Sequence, residues 1–238
     1  MRARKAKIAY QLARATAGFG THYAFYGKFD VEGSAHIPRR GPFLLLPYHD
    51  SMLNILELGA AARRTVIYVS RTDAFPNKIK RVLFETYMHA GETIFFARDN
   101  PSTRNLKETL QGIEWVIQNG LGLVIFPEAT RNREGIVGSV NPFMIKYATK
   151  KAEAQGIELP IIATGIEAKR KFRGEITVRF DEPAFVKDYG SIDELVNGKV
   201  MPRIADLSGR PYDPSRNTLQ AEREMREIEY KLAAGNNR

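Results

Sequence analysis

Short apolar runs alternate with longer amphipathic stretches along most of the chain. Phe29–Glu32, Phe43–Pro47, Val66–Ser70, Thr93–Ala97, Leu121–Phe126, Leu159–Thr164 and Ile176–Phe180 have the length and the β-branched and aromatic content of strands. Between them a helix begins near Ser51, and Lys78–His89, Thr103–Asn119 and Pro142–Ala154 carry helical patterns. Gly120 closes the third of these, and Pro38-Arg39-Arg40-Gly41-Pro42 is a turn. Strand–helix alternation of this kind predicts an α/β domain over residues 29–186, with a mostly parallel central sheet flanked by helices.

The two ends differ from this pattern. In residues 4–19, Ile8, Leu12, Ala15 and Phe19 recur at helical spacing among Arg and Lys. His22, Tyr23, Phe25, Tyr26 and Phe29 follow. A basic amphipathic helix leading into aromatics suits an element lying on a membrane surface, so residues 1–28 are expected to form an interfacial segment. The same pattern also suits a surface helix with its apolar stripe on the core. Residues 187–238 form an extension: 187–215 are rich in Gly, Pro, Asp and Ser and predict loop with a short helix. Asn217–Ala234 predicts a charged C-terminal packing helix, with Asn217 as N-cap and Gln220 three residues on.

Charge sharpens the picture at the N-terminus. The chain has 238 residues and a net charge of +9. Residues 1–40 hold eight basic side chains against Asp30 and Glu32, so +6 of that excess sits there. Such an excess points to an anionic partner: lipid headgroups, nucleic acid or a phosphorylated substrate. There is no cysteine, which excludes disulfides, thiolate metal sites and a cysteine acyl-enzyme. No apolar run reaches the roughly 18 residues of a spanning helix, and the N-terminus lacks the pattern of a secretory signal. A peripheral position on the cytoplasmic face of a membrane is therefore expected.

Candidate chemistry gathers where strands end. His49 follows the strand Phe43–Pro47 in Tyr48-His49-Asp50-Ser51-Met52-Leu53-Asn54. It falls at a strand-to-helix junction, with Ser51 able to cap the helix. An imidazole near a helix N-terminus is well placed to act as a base beside anionic substrates. Asn54, about one turn into the helix, is expected to accept the His49 Nδ1–H, fixing the tautomer and aiming Nε2 at a substrate hydroxyl. Phe126-Pro127-Glu128-Ala129-Thr130-Arg131 follows another strand, and strand carboxyl ends are where open α/β sheets bind ligands. Arg98 closes a third strand end, so Arg98 and Arg131 together suggest a phosphate pocket that Glu128 and Thr130 shape. There is no G-x-S-x-G elbow, Walker loop or His-Glu-x-x-His pair, and the four histidines are scattered, so no metal site is expected.

In order and spacing, four blocks resemble the glycerol-phosphate acyltransferase superfamily, especially the bacterial 1-acylglycerol-3-phosphate acyltransferases. They are His49–Asn54 against that family's H-x4-D, Gly91–Arg98 against its G-x-x-F-x-x-R-like block, Phe126–Arg131 against F-P-E-G-T-R, and Leu159–Ala163 against V-P-I-I-P. The similarity covers roughly residues 25–180, and includes the lead-in from Phe29 to Pro42. Several positions depart from the pattern. Asn54 stands where the family has a carboxylate, Ala129 where it has Gly, and Ala163 where it has the final Pro. Gly91 lies one residue too far from Phe95, and Met144 follows Pro142-Phe143 where the family has Lys.

The resemblance implies acyl transfer from a thioester, acyl-CoA or acyl-carrier protein, to a hydroxyl of a lysophospholipid such as 1-acylglycerol 3-phosphate. No cofactor is implied beyond the thioester co-substrate. His49 is then the general base, and Arg98, Glu128, Thr130 and Arg131 hold the acceptor's phosphate. An Asn can orient the imidazole but cannot stabilise the imidazolium as a carboxylate does. Asp50 and Glu57 are the acidic residues nearby: Asp50 needs a favourable backbone turn, and Glu57 lies further along the helix, where its reach is in question. Two competing readings keep the fold: an acyltransferase for another acceptor, or a weakly active lipid- or acyl-binding protein. Nucleic-acid binding lacks a recognition motif and is not expected.

Overall fold

A computed structural model describes residues 26–71, 93–96, 103–169 and 174–217. The expected N-terminal amphipathic helix, the Lys78–His89 helix, Arg98 and the C-terminal helix beyond Asn217 lie outside the described residues. The strands are β1 (Tyr26–Glu32), β2 (Phe43–Pro47), β3 (Val66–Arg71), β4 (Ile94–Phe96), β5 (Gly122–Ile125), β6 (Val137–Ser139), β7 (Ile161–Ala168), β8 (Gly174–Phe180) and β9 (Tyr212–Asn217). The α-helices are α1 (Asn54–Ala61), α2 (Thr103–Gln118), α3 (Phe143–Glu153) and α4 (Met201–Leu207).

Seven strands form one sheet in the order β1-β8-β7-β2-β5-β3-β4. Every neighbouring pair is parallel except β7 with β8. The expectation of a mostly parallel sheet flanked by helices is therefore met, and β2 lies inside it between β7 and β5.

The two-residue period of a strand divides the core into two layers. From β2, Leu44 and Leu46 face one side with Ile67, Leu123, Ile125 and Ile161; α2 covers them through Ile113, Val116 and Ile117, and α3 through Ile145, Ala148 and Ala152. Phe43 and Leu45 face the other side with Val66, Val124 and Ile162, under Ile55, Leu58 and Ala61 of α1. A sheet buried on both faces explains why these strands are unbroken apolar runs instead of alternating ones. All five residues of β2 are buried, so the point where this strand ends is held rigidly.

The stretch after residue 187 is more ordered than its composition predicts. A π-helix at Glu194–Val200 runs directly into α4. Leu195, Val196, Val200, Met201, Ile204 and Ala205 are all buried in the first core layer. Gly198 and Pro202 mask this helix in the sequence; Pro202 sits in the first turn of α4, at its junction with the π-helix. The end of α4 reaches β7 because Gly165 has no side chain: a Cβ there would fall 2.4 Å from the Leu207 carbonyl carbon. From α4 the chain enters β9, which pairs in parallel with β6 as a separate two-stranded sheet. Neither of these strands is signalled by the hydrophobic pattern.

Candidate active site

β2 and β5 are adjacent and parallel, so the loops leaving their carboxyl ends meet. The β2–α1 corner carries His49, and the β5–β6 loop carries Phe126–Asn132. The His49 and Phe126 rings stack with centroids 4.0 Å apart and planes inclined by 28°. The Asn132 N–H donates to the His49 carbonyl at 2.6 Å, tying one loop to the backbone of the other.

Asn54 organises the corner. Its Oδ1 accepts the backbone N–H of Asp50 at 3.0 Å and of Ser51 at 2.7 Å, and His49 Nδ1 lies 3.2 Å away. Two peptide N–H groups aimed at one atom identify that atom as the amide oxygen and not the nitrogen. His49 Nδ1 must then be the donor, which leaves Nε2 with its lone pair free to take a proton. The hydrogen bond expected between these two side chains is present. Ser51 plays a different part from the cap expected of it: α1 starts at Asn54 with no side-chain cap, and Ser51 Oγ accepts the Leu53 N–H at 3.2 Å in a local turn.

The other end of the amide makes a contact that the sequence reading left in question. Asn54 Nδ2 donates to Glu57 Oε2 at 2.8 Å, and both residues are buried, at 2% and 1% exposure. Glu57 is thus joined to His49 through a single amide. Asp50 is engaged elsewhere: its Oδ2 lies 3.4 Å from Arg210 Nη2. Arg210, which comes from the link between α4 and β9, also lies over the Tyr48 ring at 5.6 Å. Tyr48 is buried, its hydroxyl has no hydrogen-bond partner among the described residues, and burial pushes its pKa upward.

The imidazole is neutral at ordinary pH. Burial pushes its pKa down from 6.5 to about 4; the bond to Asn54 opposes the shift, and the positive charge of Arg131 adds to it. A neutral His49 with Nδ1 protonated has the protonation state a general base requires.

In the β5–β6 loop, Glu128 is 2% exposed and its Oε1 accepts from Asn132 Nδ2 at 2.7 Å. The same nitrogen donates to the Ile136 carbonyl, and Asn132 Oδ1 accepts the Gly135 N–H at 2.9 Å. Glu128 therefore braces the loop. Thr130 is buried beside it, and Arg131 is half-buried and close enough to His49 to act on its charge. His49, Asn54 and Arg131 are brought together, with Glu128 and Thr130 in the loop that approaches them. Among the described residues no cluster of His, Asp or Glu fits a metal ion.

Sequence reasoning missed Asn132, the Phe126 stack and Arg210. The Asn132–Glu128 spacing of four residues was a local signal. The Arg210–Asp50 contact, across 160 residues, left none.

No curated protein matches the sequence. In solved structures the fold is similar to that of the 1-acyl-sn-glycerophosphate (LPA) acyltransferase PlsC from Thermotoga maritima. The identity is 20%, the TM-score 0.61, and the match covers 87% of this chain and 83% of that one. The sequence signature of the family described as Acyltransferase matches residues 28–166, more than half of the chain and the whole stretch from β1 into β7. By that match, around a stacked, neutral His49 set on adjacent strand ends, the chain belongs to the acyltransferase family.

Proposed function

We propose that this protein transfers a fatty acyl group from a thioester to a hydroxyl of a phosphate-bearing glycerolipid, with 1-acylglycerol 3-phosphate as the acceptor. The observation that carries the reading is the fixed tautomer of His49: Asn54 Oδ1, committed by two peptide N–H groups, leaves Nε2 as the basic nitrogen. The family match and the likeness to PlsC support the reaction class and the kind of acceptor.

In this mechanism His49 Nε2 takes the proton of the acceptor hydroxyl as its oxygen bonds to the thioester carbonyl carbon. The tetrahedral oxyanion collapses, the C–S bond breaks, and the imidazolium returns the proton to the leaving thiolate. One ester and one thiol result. The low pKa of His49 has two sides. It keeps the base unprotonated, and it makes the imidazolium costly, so a nearby negative charge is needed as the proton moves. Arg131, with Arg98, Glu128 and Thr130, is assigned to the acceptor's phosphate; a guanidinium fork matches that group. The basic N-terminal segment is assigned to an anionic membrane surface, where the acceptor resides.

The test is thiol release from acyl-CoA and acyl-carrier protein, with lysophosphatidate and other lysolipids as acceptors, the products identified by mass spectrometry. Release that depends on lysophosphatidate and yields a diacyl phosphate supports the proposal. Release with another acceptor only would change the substrate while keeping the chemistry. Release that is indifferent to any acceptor, or absent with every pair, would reject it.

A further inference from the structure

The family pattern puts a carboxylate where this chain has Asn54, so the charge that steadies the imidazolium must come from another residue. Among the described residues, Arg131, Asp50 with its partner Arg210, Glu128 and Glu57 are charged side chains of the two loops at His49 and the elements beside them. Arg131, from the β5–β6 loop, has the wrong sign. Asp50 is paired with Arg210. Glu128 is bonded to Asn132 within its own loop. Glu57 is the carboxyl group joined to the imidazole, by one amide whose two ends are both committed: Oδ1 to His49 Nδ1, and Nδ2 to Glu57 Oε2. Because Nδ2 can only donate, Glu57 Oε2 is the acceptor of this bond.

Asn54 and Glu57 are three residues apart on α1, the spacing that puts side chains on one helix face. The arrangement is also dry, with both side chains almost wholly buried, so little solvent screens a charge at Glu57 from His49. We infer that Glu57 is a positioning residue of the acyl-transfer reaction: it holds Asn54 in the orientation that fixes the His49 tautomer, and supplies through that amide the negative charge the motif carboxylate would otherwise provide. The charge is moved one residue outward along a His49–Asn54–Glu57 chain. The kinetic part of this inference rests on the function proposed above; the imidazole part does not.

The chain makes a specific prediction about restoring the family carboxylate. Asn54→Asp alone sets two carboxyl groups in buried contact, and the pair must take up a proton or push apart. It should not improve the enzyme. The exchange Asn54→Asp with Glu57→Gln keeps one carboxylate and one amide in reversed order, with Gln donating to Asp and Asp accepting from His49.

The experiment follows the four variants, including wild type, by steady-state kinetics and by the ¹⁵N resonances of the His49 imidazole across pH, assigned by their loss in His49→Ala. For Glu57→Gln the expectation is a fall in kcat of about 10- to 100-fold with KM little changed, and a His49 pKa below that of wild type. The exchange should recover kcat to within about tenfold of wild type and raise the His49 pKa. If Glu57→Gln leaves both kcat and the imidazole pKa at wild-type values, the inference is wrong. If Glu57→Gln does not fold, the exchange decides: a folded, active exchange variant upholds the chain, and one without activity or a raised imidazole pKa overturns it. Should wild type show no acyl transfer, the function proposed above fails, while the imidazole pKa values still decide whether Glu57 acts on His49.

Discussion

Two loops meet at His49, and each is built on an asparagine–glutamate pair. In the β2–α1 corner Asn54 bonds Glu57 at 2.8 Å; in the β5–β6 loop Asn132 bonds Glu128 at 2.7 Å. All four side chains are buried, with exposures of 1–2%. They differ in what else the amide touches. Asn54 Oδ1 gathers two peptide N–H groups and the imidazole, so that pair governs a proton. Asn132 spends its side chain on Gly135 and Ile136, so that pair governs the shape of a loop, and reaches His49 only through its backbone N–H. The same two residue types do chemical work in one place and architectural work in the other, according to whether a titratable group sits on the amide.

That difference is open to test by breaking each pair. Asn54→Ala should be the most damaging to catalysis, lowering kcat roughly 10³- to 10⁴-fold, because the imidazole loses its tautomer as well as its orientation. The comparison fails if this variant keeps more than a tenth of wild-type kcat while remaining folded. Asn132→Ala should reverse the emphasis. It removes partners from Glu128, Gly135 and Ile136, costing about 1–3 kcal/mol of stability by denaturant titration, with a fall in kcat well short of that for Asn54→Ala.

A third prediction concerns pH. The folded-state pKa of His49, about 4, lies below its ordinary 6.5, so the unfolded chain binds the proton more readily. Its contribution to stability is complete above pH 6.5 and is lost as pH falls through the window from 6.5 to about 4. The loss should amount to no more than about 3 kcal/mol. His49→Gln should flatten this part of the stability profile. In kinetics, the acid limb of kcat/KM should fall well below the 6.5 of an ordinary histidine; a limb at 6.5 would mean that the surroundings of the half-buried imidazole do not lower its pKa.

The smallest effect is expected at Ala129, within the second loop. Its φ is +53°, in the left-handed region that disfavours a Cβ, and it is the sole non-glycine with positive φ among the described residues. Ala129→Gly should therefore raise stability, by up to about 1 kcal/mol, visible as a small increase in the thermal midpoint with kcat unchanged. A decrease would show that the side chain makes contacts worth more than the strain.

Much of this was legible in the sequence, and the rest was hidden for identifiable reasons. The strands of the parallel sheet announce themselves because both faces are buried: Phe43–Pro47 was bounded from its apolar run alone. The His49–Asn54 bond was legible because it is local and spans a strand-to-helix junction of known geometry. The Glu57 contact is equally local, and the three-residue spacing from Asn54 is its signal; the longer spacing from His49 hides it, because the Asn54 amide lies between the two. The β6–β9 pair was invisible for another reason. Tyr212–Asn217 contains Asp, Pro, Ser and Arg, which are not strand formers, and is set in extended form by a partner some 75 residues away, not by its own propensity. Arg210 enters beside Asp50 only because α4 packs on β7 at Gly165 and delivers it there.

The central claim is that a neutral His49 is the base of an acyl transfer, and the most direct measurement is thiol release from acyl-CoA with lysophosphatidate by wild type and His49→Ala at equal concentration, with folding checked by circular dichroism. The account predicts turnover by wild type and a loss of at least about 10³-fold in kcat for the folded variant. A folded His49→Ala protein that turns over at the wild-type rate would contradict it.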